Sequence, residues 1–173
     1  MNKRLKSILA ILMPLALAFG FLHIFLPAHW GINFERLHIF LFNLCSGCTV
    51  LIFYSEGAPD LTARSCLFFV ISVCYALFAF MEFYVPAIIA AFLLAVVVES
   101  VRIRQFSFFP WDFFKKTVPA FKKFHHAALL CLSLGLVISA LVILNNEFIQ
   151  IITLQKLKLD TFFLGFSFPV SLI

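Results

Sequence analysis

The chain has 173 residues and a formal net charge of +5; 64% of it is hydrophobic and only 12% charged. Soluble domains run at roughly 45–50% apolar and about 25% charged, and one of this size would leave the excess exposed as an aggregating patch. The composition therefore excludes an ordinary soluble domain, and no basic stripe lies on a soluble segment where it might grip nucleic acid.

The opening Met1-Asn2-Lys3-Arg4-Leu5-Lys6 is basic, and an apolar run follows over 5–26. Its 22 residues exceed the roughly 7–15 of a signal-peptide core, so an uncleaved first span is expected. A second span covers 37–54 and ends at the turn-rich Ser55-Glu56-Gly57-Ala58-Pro59-Asp60, which lipid would not tolerate. A third covers 66–83. The fourth, over 85–103, has Pro86 in its first turn. Its apolar core stops at Val98, and reaching full length requires Arg102 to extend its side chain to the membrane surface. A fifth span covers 127–144 and closes on Asn145-Asn146-Glu147.

Asp160 is placed to cap a sixth span over 161–173. Thirteen residues at about 1.5 Å each make about 20 Å, short of a hydrocarbon core of roughly 30 Å. With no polar exit after Ile173, the sequence reads as the N-terminal part of a longer chain. The expected fold is an all-α integral membrane protein, a polytopic helical bundle with five complete spans plus a sixth partial or short one. It forms one transmembrane domain over 1–173.

Loop charge sets the expected direction. Six spans place Lys3, Arg4, Lys6, Arg64, Arg102, Arg104, Lys115, Lys116, Lys122 and Lys123 on one side and Arg36, Lys156 and Lys158 on the other. Ten cations against three puts the N-terminus in the cytoplasm, with the bacterial inner (plasma) membrane as the expected location.

Between the fourth and fifth spans, 110–124 reads as an amphipathic interfacial helix. At about 100° per residue, Trp111, Phe113, Phe114, Val118, Phe121 and Phe124 share one half of the wheel. Asp112, Lys115, Lys116, Lys122 and Lys123 share the other, with Pro119 as a kink. Trp111, Phe114, Lys115, Lys116, Phe121, Lys122 and Lys123 are then a membrane-surface anchor, with anionic lipids at the cytoplasmic face as partners.

Chemistry-bearing residues are few. His23 closes the first span, His38 opens the second on the same side, and His29 lies between them. Two imidazoles at similar depth on neighbouring helices are what a haem b requires; all three form a candidate metal set. The competing reading is interfacial histidines satisfied by water or backbone, and His125 and His126 are read as interfacial too.

Cys45-Ser46-Gly47-Cys48 has C-x-x-C spacing but sits mid-span, where a thiolate is disfavoured. Asn43, Cys45, Gly47 and Cys48 read better as a helix-packing patch, with Cys74 as its opposite face. All five cysteines (Cys45, Cys48, Cys66, Cys74 and Cys131) lie in apolar segments, without the loop pattern of a disulfide framework. Glu82 and Glu99 lie close enough to span ends to reach an interface.

No phosphate loop, zinc-protease pair or hydrolase elbow is present in the sequence. The expected function is therefore a multi-span carrier or membrane-complex subunit, packed against further helices of its own chain or other subunits. The alternative is a haem-binding or quinone-linked electron-transfer subunit using the outer histidines.

Overall fold

The computed structural model describes residues 3–25, 34–106 and 108–151. Within them the chain is helical, with five helices long and apolar enough to cross a membrane. These are α1 (Lys3–Phe25), α2 (Phe34–Glu56), α3 (Ala63–Phe80), α4 (Tyr84–Gln105) and α5 (Ala120–Ile149). Each overlaps one of the five segments read from hydropathy. The sixth, 161–173, lies outside the described residues.

The helix ends differ from the expected ones for local reasons. α3 starts three residues early because Thr62 caps it: the Thr62 hydroxyl accepts the Ser65 amide at 3.1 Å. The Glu56 carboxylate reaches across from α2, accepting from the Ser65 hydroxyl at 2.7 Å and from that of Thr62. At its other end α3 stops at Phe80, where Met81-Glu82-Phe83 reverses the chain. Glu82 takes a left-handed conformation there, with φ of 60°. α5 is extended at both ends. Pro119 occupies its N-cap, and Asn145-Asn146-Glu147 lies inside the helix as part of a π-wound last turn, Asn145–Ile149.

The middle of α2, Phe40–Cys48, is also π-wound. Its i→i+5 bonding puts more residues in each turn than the 3.6 of an α-helix, so Cys45 and Cys48 share a face less closely than α-spacing predicts. Both sulfurs are nevertheless fully buried, as are Ser46 and Thr49, while Asn43 and Gly47 are half-buried. Cys45 lies beside Ser72 and near Cys74 on α3.

Successive helices run antiparallel. Leu5 and Leu9 of α1 pack against Phe53 near the end of α2. Arg36 at the start of α2 donates to the Ala79 carbonyl at the end of α3, at 3.2 Å, and Gln105 at the end of α4 donates to the Glu56 carbonyl, at 3.3 Å. One end of the bundle thus gathers the starts of α1, α3 and α5, and with them the ten cations from Lys3 to Lys123 that exclude Arg36. We refer to it as the basic end.

The surface is apolar as well as the core, and the core admits several small polar residues. Ser46, Thr49, Ser72, Ser133 and Ser139 are buried, whereas Ile11, Val70, Ile89, Val96 and Leu141 are each about half exposed or more. At the centre, the Tyr75 and Ser139 hydroxyls hydrogen-bond at 2.7 Å. The Tyr75 ring meets Phe40 edge-on at 5.3 Å. α1 is the least enclosed helix: 11% of its most apolar stretch is buried, against 61% for α2.

Two substitutions test this packing. Tyr75→Phe removes one interhelical hydroxyl pair and is expected to cost about 1 kcal/mol, within the range of polar helix contacts in membranes, as a lowered thermal midpoint in detergent. Gly20→Leu is expected to cost about 1–3 kcal/mol by overpacking, because even a Cβ at Gly20 would sit 3.0 Å from His38 Nδ1. An unchanged midpoint for Gly20→Leu would show that α1 does not dock on α2 as described.

Candidate functional site

Two polar clusters stand out from the apolar bundle, one at each end. The first surrounds a cleft of about 360 Å³ between α1 and α2, opposite the basic end, lined by His23, Glu35 and His38 together with Gly20 and Phe21. His38 Nδ1 lies 2.7 Å from the Ala16 carbonyl. A carbonyl can only accept, so Nδ1 carries the proton and Nε2 is left with its lone pair. That is the arrangement by which a backbone group orients a ligating histidine. Gly20, one turn beyond Ala16, gives the imidazole room to approach, and Phe42 stacks near it at 6.0 Å.

His23 is held differently. Its Nε2 lies 3.5 Å from a Glu35 carboxylate oxygen, and both side chains are almost half exposed. The two histidines therefore share one cleft, each with one nitrogen committed among these contacts: Nδ1 of His38 to a backbone carbonyl and Nε2 of His23 to a carboxylate. His29 lies outside the described residues. Among the described residues, no three His, Cys, Asp or Glu side chains are grouped to hold a metal ion. Glu35 had no place in the sequence reading; its position one turn before His38 was the available signal.

The second cluster is at the basic end and was not anticipated as a site. Arg102 does not reach out to the surface. It is 4% exposed, and its guanidinium grips the Glu99 carboxylate through Nε at 2.9 and 3.1 Å and Nη2 at 2.6 Å. Nη1 donates to the Phe108 carbonyl at 3.0 Å and to His126 Nε2 at 3.1 Å. Because arginine has no acceptor, His126 Nε2 must be the unprotonated nitrogen. Ser133, two turns further along α5, lies beside the Glu99 carboxylate.

His126 is likewise not interfacial. It is fully buried, stacked on Phe106 at 4.9 Å and flanked by Phe113 at 5.1 Å. His125, its neighbour, is only half-buried. One arginine thus ties α4, the following connection and α5 together, with a second contact from the Phe108 ring at 6.0 Å.

The connection itself departs from the expected interfacial helix over 110–124. Only Trp111–Phe113 forms a 3-10 turn, and the helix resumes at Ala120. The reason is Pro119: it has no amide to donate within a helix but suits the entry to one. Phe121, Lys122 and Lys123 belong to the first turn of α5. Trp111, Phe114 and Phe121 are exposed, as are Lys115, Lys116 and Lys122, while Lys123 is half-buried and donates to the Phe113 carbonyl at 3.0 Å. The aromatic and basic residues are therefore presented by a turn and a helix start.

In comparisons with protein-family models, curated proteins and solved structures, nothing matches this chain.

The Arg102 cluster makes a quantitative prediction. Arg102→Ala strands the Glu99 carboxylate and the Phe108 carbonyl, and breaking a buried pair in this way costs about 3 kcal/mol. Arg102→Lys keeps the charge but lacks the fork, so its thermal midpoint in detergent is expected between those of Arg102→Ala and the parent. Equal midpoints for all three proteins would refute the tie.

Proposed function

We propose that this chain is an integral membrane protein whose five apolar helices cross the bilayer with the basic end in the cytoplasm, and that it serves as a multi-span carrier or membrane-complex subunit. The observation that supports this most is the apolar outer surface. Leu, Ile, Val and Phe side chains cover the outside, while Ser46, Thr49, Ser72, Ser133 and Ser139 are buried inside. In water such a surface would aggregate; in lipid it is the favourable arrangement, since each helix satisfies its own backbone groups. The ten cations at one end suit the cytoplasmic face of a bacterial inner membrane. The thinly covered α1 suits contact with further helices, whether of the same chain or of a partner subunit.

Alkaline carbonate extraction tests insertion: the protein is expected in the membrane pellet, and recovery in the supernatant would overturn the reading. Orientation is tested by single cysteines in an otherwise cysteine-free protein. In intact spheroplasts, Met81→Cys is expected to react with a membrane-impermeant maleimide and Lys116→Cys only after lysis; the reverse pattern inverts the topology. Solute flux in proteoliposomes supports the carrier, and co-purification of partners at fixed stoichiometry supports the subunit.

His38 favours a second reading, a haem-binding or quinone-linked electron-transfer subunit. Its Nδ1 bond to Ala16 leaves Nε2 ready for a metal, and His23 lines the same cleft. His38 would hold a haem b there through Nε2, and His23 would offer Nδ1, the nitrogen that Glu35 does not occupy. This reading predicts a Soret band in protein purified from haem-replete cells, abolished by His38→Ala. A colourless preparation would eliminate it.

A further inference from the structure

The basic end holds a cleft of about 470 Å³ where α2, α4 and α5 meet. α2 contributes Ser55, α4 contributes Gln105, and the first turns of α5 contribute Lys122 and His125. Phe106 and Phe121 form its apolar walls. Lys122 is exposed. His125 donates through Nδ1 to the Phe121 carbonyl at 3.2 Å, so its Nε2 donates to an anion in the imidazolium form, which the anion's charge favours. The Ser55 hydroxyl is buried and has no hydrogen-bond partner among the described residues. Glu56, its acidic neighbour, is turned away into the α3 cap.

The start of α5 adds to this field. Pro119 supplies no side-chain cap, so the positive end of a long helix dipole lies beside Lys122. Lys122 and His125 line the cleft between two aromatic rings, with the Ser55 hydroxyl buried in its wall and the first turn of α5 alongside, at the level where, on the membrane reading, a span leaves lipid. Phosphate chemistry suits the polar part of this cleft, and acyl chains suit its walls.

We propose that the cleft binds the headgroup phosphate of an anionic phospholipid, with the acyl chains lying over Phe121 and Phe124, both more than half exposed. The proposal rests on the membrane reading above, and it narrows a diffuse basic surface to one site. Lys122 and His125 contact the phosphate. Lys115 and Lys116, outside the cleft, do not.

The test uses the full chain in nanodiscs of equimolar phosphatidylglycerol and phosphatidylcholine, with the lipid retained after gentle detergent transfer counted by native mass spectrometry. The parent is expected to retain phosphatidylglycerol over phosphatidylcholine by at least about fivefold, the contribution of one cation near a membrane surface. Lys122→Gln/His125→Gln should lose that preference, and Lys115→Gln/Lys116→Gln should keep it. Each variant's thermal midpoint, unchanged from the parent, verifies folding.

Equal retention of the two lipids, or equal loss in both double variants, overturns the site. Displacement of the lipid by inorganic phosphate beyond that by chloride at matched ionic strength assigns a soluble phosphate ligand and overturns the lipid assignment. Failure of the parent to enter nanodiscs, with release by carbonate, refutes the membrane reading itself, a result distinct from insertion without lipid preference.

Discussion

A polar group buried among these helices has few partners other than the protein itself, and the relative placement of the helices follows from the interhelical matches that are made. The recurrent device is a long side chain from one element donating to a backbone carbonyl of another. Arg36 takes the Ala79 carbonyl, one of the acceptors left over at the end of α3. His38 takes the second lone pair of the Ala16 carbonyl on α1. Arg102 takes the Phe108 carbonyl in an irregular connection. Carbonyls occur in every segment at fixed positions, so such bonds set the relative height of neighbouring helices, which apolar packing alone leaves free to slide. The Tyr75–Ser139 pair does the same in the centre by side chains alone.

The two ends use this device to different effect. At the basic end the bonds are consumed internally: Arg102, Glu99 and His126 close on one another and hold the connection down. At the opposite end one imidazole is oriented by the backbone while a carboxylate and a second imidazole remain half exposed beside it. The first arrangement makes a rigid joint. The second keeps polar groups accessible to whatever enters the cleft.

Much of the fold was legible because long apolar runs separated by polar turns leave few alternatives for a helix in lipid. What the sequence hid was anything depending on a distant partner. Arg102 reads as a residue that must escape to water, because its neutralising set includes His126, 24 positions away, and a loop carbonyl. His126 likewise lacks any local mark of burial, since its covering rings come from Phe106 and Phe113 across the turn. Pro119 did carry a signal: a proline one residue before an apolar-periodic stretch marks a helix start, and reading it as a kink joined two elements that are separate. The π-winding of Phe40–Cys48 has no comparable signature. Small residues such as Ser46 and Gly47 accommodate a wider turn without demanding it. Of the clefts, His23 and His38 were visible from spacing, whereas Glu35, Ser55 and Gln105 became relevant only once the helices were side by side.

If the five helices cross a bilayer as proposed, the three-residue reversal between α3 and α4 has a consequence for biogenesis. From Ser65 to Val101 the sequence contains no lysine or arginine, so the cations that resist translocation, Arg64 and Arg102, both lie at the basic end. Between them the chain turns on Met81-Glu82-Phe83, with Glu82 as the charged residue that must cross. On that reading, two helices whose flanking cations both lie at the basic end, joined by so short a turn, would enter the bilayer together as a hairpin. Neither would need a separate orientation signal, and Glu82, in the left-handed turn, would be the residue around which the nascent chain reverses.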